Sequence, residues 1–337
     1  MSGVALVAVD GGASKTDLAL VAGDGALLSL TRGPKSSPQS LGIEGSLDVL
    51  ARLLERAASE AGLSDEPADL AQLLMAGVDF PSEERELREA VEQRGWARRT
   101  IVDNDTFAVL RAGTDRGWGV AVVCGSGINC VGVARDGRHT RFPSLGPITG
   151  DWGGGPDVGL AAVSAAARSE DGRGPRTSLE QAVPAHFGLE TPTELAEAIH
   201  SKQIPSGRVA ELPPVVFAAA ETDAVAAAIV GRQADEIVAL VRVALERLEL
   251  VDEPVEVLLG GGLLQSGDGP LTAAIEAGLR EVGPSILVKT ASSPPIVGSV
   301  LLGLDALDAG GEARARAQRE LADALDDVER RKGLSDG

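Results

Sequence analysis

Two glycine-rich turns in this sequence of 337 residues carry the side chains and backbone groups that bind phosphate. Glycine leaves backbone N–H groups accessible, and successive N–H groups in a turn attract phosphate oxygens. The first turn adds a carboxylate, two hydroxyls and an ammonium, which suit Mg²⁺ and phosphate. We therefore predict that both turns bind a nucleotide triphosphate. The residues concerned are Asp10, Gly11, Gly12, Ser14, Lys15 and Thr16 in the first turn and Gly125, Ser126 and Gly127 in the second.

Both turns lie within the same local pattern, which occurs at residues 4–28 and again at 118–140. Each copy has an apolar strand, the glycine turn, a second apolar strand and an Asp-Gly pair. Asp24-Gly25 and Asp136-Gly137 favour tight two-residue hairpin turns. The duplication predicts two similar halves, whose facing hairpins would hold one triphosphate between them.

A third glycine cluster follows an apolar strand predicted over 256–259. Gly260, Gly261 and Gly262 would let a flat group approach the backbone closely, and we predict that they contact adenosine. Two carboxylates have more than one interpretation. Asp105 follows a predicted strand, and its spacing alone favours a helix N-cap over a general base. Asp151 lies among glycines and could accept two sugar hydroxyls.

The elements that would position these residues alternate between strand and helix. This alternation predicts an α/β protein with a domain boundary near residue 114. We predict domains over 1–114 and 115–309, followed by a charged tail over 310–337 that is a solvated helix or frayed. Predicted strands cover 70–76, 99–102 and 286–288; predicted helices cover 46–61, 82–94, 106–112, 271–282 and 296–308; long loops are predicted near 31–45 and over 141–157.

Composition excludes several classes of partner. The net charge is −19, and no long run of Lys or Arg occurs outside the tail, so we expect no nucleic-acid partner. No apolar run approaches the roughly 20 residues of a membrane-spanning helix, and the first residues do not resemble a signal peptide. Cys124 and Cys130 are expected to be buried, reduced thiols. A cytoplasmic protein is the resulting expectation.

The order of seven motifs resembles the BadF/BadG/BcrA/BcrD-type ATPase family, and within it the N-acetylglucosamine kinases of the actin–sugar kinase–Hsp70 superfamily. The resemblance runs from about residue 4 to 308. It implies a two-lobed actin-like fold with duplicated ribonuclease-H-like domains and ATP with Mg²⁺ in the cleft between them. The motifs are DGGASKT at 10–16, AGVD at 76–79, ND at 104–105, CGSGINC at 124–130, GPITGD at 146–151, LGGG at 259–262 and PPIVGSVLLGLDAL at 294–307.

The resemblance also implies a role for individual residues. Asp105 becomes the catalytic base, which outweighs the capping interpretation, and Asp10 lies beside the metal. The three glycine clusters, with Ser14, Lys15 and Thr16, become the nucleotide site. In this family the last helix commonly packs against the first domain, which would apply here to residues 296–308. The implied sugar-binding residues are Ser37, Asn104, Asn129, Gly146 and Asp151.

Two departures from the family pattern fall on the sugar side. Ser37 stands where the family often has Asn, and Trp152 follows Asp151 where Glu is common. Trp152 could stack on a sugar or be structural. The predicted function is an ATP-dependent kinase of the primary hydroxyl of an amino sugar, with N-acetylglucosamine favoured. The alternatives are an iron–sulfur ATPase activator of a 2-hydroxyacyl-CoA dehydratase and a non-catalytic sensor. The resemblance leaves a homodimer open.

Overall fold

The computed structural model describes residues 3–63, 66–264 and 269–335, and these form two compact units. Unit 1 comprises Met1–Gly117 together with Ser293–Gly337, and unit 2 comprises Trp118–Ser292. The described residues contain ten strands and eleven α-helices.

The strands, in chain order, are β1 (Val4–Gly11), β2 (Lys15–Ala22), β3 (Leu27–Pro34), β4 (Leu70–Met75), β5 (Thr100–Asn104), β6 (Gly119–Cys124), β7 (Ile128–Val133), β8 (His139–Arg141), β9 (Glu256–Gly260) and β10 (Leu287–Thr290). The helices are α1 (Pro38–Ala61), α2 (Pro81–Arg94), α3 (Thr106–Gly113), α4 (Gly155–Glu170), α5 (Leu179–His186), α6 (Pro192–His200), α7 (Pro213–Ala219), α8 (Ala224–Leu248), α9 (Pro270–Val282), α10 (Pro295–Ala306) and α11 (Gly311–Ser335).

Both units contain a five-stranded sheet of the same topology. The strand orders are β3-β2-β1-β4-β5 and β8-β7-β6-β9-β10. In each sheet three strands form an antiparallel meander, and two further strands add in parallel to the first strand of that meander. The predicted α/β class with duplicated ribonuclease-H-like units is therefore confirmed.

The core of unit 1 lies on both faces of its sheet, because successive side chains of a strand point in opposite directions. Val7 and Val9 of β1 pack in the cluster that α1 and α2 complete. Leu6 and Ala8 pack in the cluster formed with α10 and α11. Helix α10 also packs on α3 at Gly298, where a Cβ would lie 1.8 Å from the Ala108 carbonyl oxygen. Residues 296–308 thus belong, by their contacts, to unit 1.

The core of unit 2 is one large cluster of aliphatic side chains from its sheet and from α4 to α9. Helix α8 is capped at its N-terminus by Asp223, whose Oδ1 accepts hydrogen bonds from the Val225 and Ala226 amides. No single helix within the described residues has the length and apolar character to cross a membrane. In the part of the chain that the structure describes, one pair of helices, Ser206–Ala219 and Ala224–Leu248, reaches that length and apolar character when taken together, but the two are bent by 112°.

Two predicted loops contain regular structure. Most of the loop expected near 31–45 is the end of β3 and the start of α1, which is kinked at Gly42. Pro38 lies in the first turn of α1, where proline removes no hydrogen bond of the helix. The proline and glycine residues of this segment therefore did not indicate a loop. The segment 141–157 contains a short 3₁₀ helix at Gly146–Ile148 and the first turn of α4.

The Asp-Gly turns and the tail also differ from expectation. The Ala22 amide donates to the Ala26 carbonyl, and the Gly25 amide donates to the Ala22 carbonyl. Three residues therefore close the hairpin, with Gly25 at φ +83°. This loop needs a glycine with positive φ as much as the predicted two-residue turn does. The tail forms α11, which buries Ala317, Leu321 and Leu325 against unit 1.

Candidate functional site

Three parallel strands of unit 1 end at one edge of its sheet. Gly11 of β1 pairs with Met75 of β4, and Met75 pairs with Asn104 of β5. Asp10 and Asp105 therefore lie at the same edge. The first glycine turn leaves this edge and returns as β2 at Lys15. The structure thus brings together the predicted metal ligand, the predicted base and the first glycine turn.

Asp10 is buried, and its surroundings disfavour a charged carboxylate. Burial, followed by the nearby carboxylates of Asp105 and Asp17, raises the pKa of Asp10 to about 8. Lys15 and Arg32 oppose this rise in pKa without cancelling it. Ionising Asp10 next to these carboxylates is therefore unfavourable, and a bound cation would offset this cost.

Asp105 stands directly before α3, as its capping interpretation requires, but its side chain forms no regular capping hydrogen bond. Asn104 takes that role, since its Oδ1 accepts from the Thr106 amide at 3.0 Å and from the Thr106 hydroxyl at 2.6 Å. Burial raises the pKa of Asp105 to about 6 against the opposing effect of the Asp105 and Thr106 amides. A carboxylate with this pKa is a suitable base near neutral pH.

Asn104 is buried, and both ends of its amide bind the protein. Its Nδ2 donates to the Val78 carbonyl at 3.2 Å and to Asp79 Oδ1 at 2.9 Å. These contacts connect the loop after β4 to the start of α3 and so position Asp105. Sugar binding by Asn104 remains a prediction.

The first glycine turn exposes Ser14 and Lys15 at its tip. The Gly12 amide closes the turn by donating to the Lys15 carbonyl at 2.9 Å. Thr16 is completely buried, and its hydroxyl donates to Ser36 Oγ at 2.7 Å. A Cβ at Gly11 would lie 2.3 Å from Met75 Sδ, so β1 and β4 pack too closely for a side chain there. Ser14 and Lys15 are thus the accessible polar side chains of this turn, and Thr16 supports it from inside.

An ion-pair cluster beside this turn was missed by the sequence interpretation. Arg32 binds both carboxylate oxygens of Asp17, with Nε at 2.5 Å from Oδ1 and Nη2 at 2.9 Å from Oδ2. The Lys15 ammonium lies 3.2 Å from Asp17 Oδ2. The available signal was an acidic residue in an otherwise apolar strand, which requires a partner when buried.

Ser37 is buried at the start of α1, close to the loop that follows β4. A Cβ at Gly77 would lie 2.9 Å from Ser37 Oγ, and Gly77 has φ +76°. Glycine is therefore needed at position 77 for both conformation and space. The structure places Ser37 near this loop, and its contact with a sugar remains a prediction.

The second glycine turn, in unit 2, is also closed by a backbone hydrogen bond but is shorter. The Gly125 amide donates to the Gly127 carbonyl at 2.9 Å, and Ser126 and Gly127 are exposed at the tip. The first residues of α4 pack directly on this turn. The Gly155 amide donates to the Gly125 carbonyl at 2.7 Å, and a Cβ at Gly154 would lie 2.8 Å from Gly127 Cα.

The third glycine cluster lies at the same edge of the second sheet, because Gly260 pairs with Val123 of β6. A Cβ at Gly261, which has φ +87°, would lie 2.3 Å from the Cys124 carbonyl oxygen. Gly262 lines a cavity of about 340 Å³ with Phe217, Glu221, Leu263 and Leu271 among its walls. This volume is in the range of small-ligand sites, and the apolar walls suit a planar base.

The predicted sugar-binding segment 146–151 folds on itself. Asp151 Oδ2 accepts hydrogen bonds from the Gly146 amide at 3.2 Å and from the Thr149 hydroxyl. Asn129 lies on β7, and its Oδ1 accepts from the Cys130 amide at 2.7 Å. The structure shows how Asp151 shapes its loop, and sugar contacts by these residues remain predictions.

Trp152 is half-buried and packs against the core of unit 2. The Arg232 guanidinium lies 4.0 Å from the centre of its ring, in a cation–π contact. Arg232 therefore covers one face of the indole, and this contact favours the structural interpretation of Trp152.

The two cysteines are free and buried. Burial raises the pKa of Cys124 to about 12, and it also raises the pKa of Cys130. Such surroundings disfavour the thiolate form, which is the form that binds an iron–sulfur cluster. Among the residues that the structure describes, no group of three or more His, Cys, Asp or Glu side chains could hold a metal ion.

Comparison with known proteins identifies the family. The model of the BadF/BadG/BcrA/BcrD ATPase family matches residues 7–303. An N-acetylmuramic acid/N-acetylglucosamine kinase of Clostridium acetobutylicum is 29% identical over 77% of this chain and 86% of its own length. An N-acetyl-D-glucosamine kinase of Dictyostelium discoideum is 25% identical over 90% of this chain and 99% of its own length.

Solved structures agree with this assignment. A candidate N-acetylglucosamine kinase of Chromobacterium violaceum has a TM-score of 0.69 at 26% identity, covering 90% of this chain and 100% of its own. A ROK hexokinase of Thermus thermophilus shares the fold with a TM-score of 0.52 at 19% identity, covering 90% and 99%. The chain therefore belongs to the BadF/BadG/BcrA/BcrD ATPase family and is an ATP-dependent phosphotransferase.

Proposed function

We propose that the protein transfers the γ-phosphoryl group of ATP to the primary hydroxyl of an amino sugar, N-acetylglucosamine. The observation that carries this proposal is the position of Asp105, a carboxylate with a raised pKa at the strand edge from which the first phosphate turn leaves. The related kinases named above support a sugar as the acceptor.

Each unit supplies part of the chemistry. In unit 1, Asp105 accepts the proton of the attacking hydroxyl, and the exposed Lys15 and Ser14 bind phosphate oxygens. In unit 2, the turn at Ser126 offers backbone N–H groups to phosphate. The cavity beside Gly262 takes the adenine base between apolar walls.

The donor set at Asp10 fits Mg²⁺. Burial, and after it two neighbouring carboxylates, raises the pKa of Asp10, and a divalent cation would stabilise its ionised form. Mg²⁺ commonly uses one or two carboxylates together with waters and substrate phosphates. When bound, the ion would neutralise phosphate charge, and Asp10 is the residue that would hold it. This charge then favours the ionised form of Asp105, which the base function needs.

An acetylated sugar suits the side chains near Ser37 better than a purely hydroxylated one. Leu41 of α1 and Phe80, which precedes α2, are exposed large apolar side chains. They lie on the same segments as Ser37 and Asp79. Apolar side chains beside hydroxyl and carboxylate groups would receive the methyl of an acetamido group together with sugar hydroxyls.

The test is a coupled assay of ADP release over N-acetylglucosamine, glucosamine, N-acetylmuramic acid, N-acetylmannosamine and glucose. We expect N-acetylglucosamine to have the highest kcat/KM, with product phosphorylated at the primary hydroxyl. Asp105→Asn should bind ATP normally and lower kcat by about 10²–10⁴-fold, the usual contribution of a general base.

Asp115→Asn is the matched control, because Asp115 is exposed just beyond the other end of α3. Its kinetics should equal those of the wild type. A different preferred sugar would overturn the substrate proposal, and full activity of Asp105→Asn would overturn the base assignment.

We also propose a cytoplasmic location, in keeping with two free thiols. A homodimer remains a prediction, which light scattering of the purified protein would test.

A further inference from the structure

We propose that the buried Asp17–Arg32 ion pair is a positioning device for Lys15, holding its ammonium at the first glycine turn for contact with the transferred phosphate. The inference rests on the proposed function, since it assumes that this turn binds the phosphates of ATP. It adds Asp17 and Arg32 as positioning residues of the reaction.

Strand register places the three charges in one row across the sheet. Asp10 of β1 pairs with Asp17 of β2, and Asp17 pairs with Arg32 of β3. The row begins at the strand edge that carries the first turn. Lys15 lies two residues before Asp17 on the same strand, and side chains two apart share a face. This placement lets one carboxylate contact both cations.

Arg32 and Lys15 bind the carboxylate in different ways. The Asp17 side chain is only 1% exposed, and Arg32, itself 19% exposed, binds both oxygens in a bidentate pair. Lys15 is 46% exposed and makes a single contact at 3.2 Å. Arg32 therefore supplies most of the compensation that a buried carboxylate needs. Lys15 can turn towards a phosphate without leaving Asp17 unpaired.

This arrangement restricts where the Lys15 ammonium can go. A lysine side chain has several rotatable bonds, and fixing it for a reaction costs conformational entropy. A contact with Asp17 in the unliganded protein removes part of that cost before ATP binds, because the ammonium already lies beside the turn. Asp17 acts through Lys15, and Arg32 acts by binding both oxygens of Asp17 and so fixing its orientation.

A double-mutant cycle tests this dependence. We expect Lys15→Met to lower kcat/KM for ATP by about 10²-fold, as for loss of one preorganised charge contact. Asp17→Asn should lower it about tenfold, since the lysine remains but is less well positioned. The double variant should be no worse than Lys15→Met within about threefold, because residues that act as a unit are not additive.

A purely structural role of Asp17 gives a different result. The two losses would then multiply to about 10³-fold in the double variant, which would overturn the proposal. Glu256→Gln is the matched control, because Glu256 is a buried strand carboxylate that binds the half-exposed Lys289 at 2.8 Å, at the opposite end of β9 from Gly260. It should lower the melting temperature without changing kcat/KM for ATP.

A charge exchange covers the case in which Asp17→Asn folds poorly. Asp17→Arg combined with Arg32→Asp restores an ion pair but places a cation beside Lys15. We expect the exchange to recover melting temperature over Asp17→Arg alone while kcat/KM stays low. Recovery of wild-type kcat/KM would contradict positioning through Asp17.

Failure of the proposed function can be distinguished from failure of this inference. If the wild type phosphorylates no sugar, the proposed function fails, and the same cycle measured by ATP dissociation constants still tests the coupling of Lys15 to Asp17.

Discussion

Individual carboxylates determine the chemistry at the sheet edge of unit 1. Asp10 and Asp105 both have a raised pKa, and in both the main cause is burial. They differ in their neighbours, since Asp105 and Asp17 act on Asp10, whereas backbone amides partly stabilise the charged form of Asp105. The pKa of Asp105 is consequently the lower one, which suits a base that must be ionised at neutral pH.

The rate of phosphoryl transfer should fall in acid. Asp105 accepts a proton only when ionised, and its pKa of about 6 lies above the ordinary 3.8. We expect kcat/KM for ATP to be constant above about pH 7 and to fall about tenfold per pH unit below about pH 6. The pH profile of kcat/KM measures this, because kcat/KM reports the pKa of the protein before ATP binds. A profile that stays flat down to pH 5 would exclude Asp105 as the base.

In the protein without ligands, the free energy of unfolding should depend on pH because of the buried Asp10. Its pKa of about 8 in the folded state exceeds the ordinary 3.8, so the folded state binds the proton more tightly. The resulting stability is present below about pH 4 and is lost as the pH rises towards 8. Asp10→Asn should raise the free energy of unfolding at pH 8 by about 1–3 kcal/mol, typical for a poorly solvated buried polar group. Urea titrations at both pH values measure this effect; an equal gain at pH 4 would contradict it.

At the scale of elements, α11 is a structural addition to unit 1 beyond the matched residues 7–303. Its apolar stripe packs in the same cluster as α10 and the sheet. Arg316 binds Asp24 and the Leu27 amide donates to Glu320, so α11 also holds the hairpin between β2 and β3. The helix thus stabilises the strands that carry Asp17 and Arg32.

Leu321→Ala should destabilise unit 1 and spare catalysis. Leu321 is fully buried, and large-to-small changes at such sites cost about 2–5 kcal/mol. Urea denaturation measures the loss, and the ATP assay should give kcat close to that of the wild type. Asp323→Ala, on the exposed face of the same helix, is the control and should change stability by less than about 0.5 kcal/mol. Equal stability of both variants would show that α11 contributes little.

For the whole molecule, the sequence predicted the repeated hairpins and the features that depend on neighbouring residues. The duplicated hairpins and the parallel strands ending at Gly11 and Gly260 follow from apolar runs that stop at or next to glycine. The Asp17–Arg32 pair could not be predicted, because it depends on the register of three strands. Asn104, and not Asp105, caps α3, and the spacing of the residues alone does not distinguish between these two neighbours. The sequence did not decide between a helix and a frayed tail for residues 310–337, because the few apolar residues of α11 are separated by many charged ones.

Unit 1 is assembled from two separated stretches of the chain, with all of unit 2 between them. During synthesis, Trp118–Ser292 has left the ribosome before α10 and α11 exist. The sheet face with Leu6 and Ala8 is covered by helices that are encoded nearly 300 residues later. Until those helices are synthesised, this apolar face has no partner within unit 1. The second unit can therefore complete its fold first, against the usual N-to-C order.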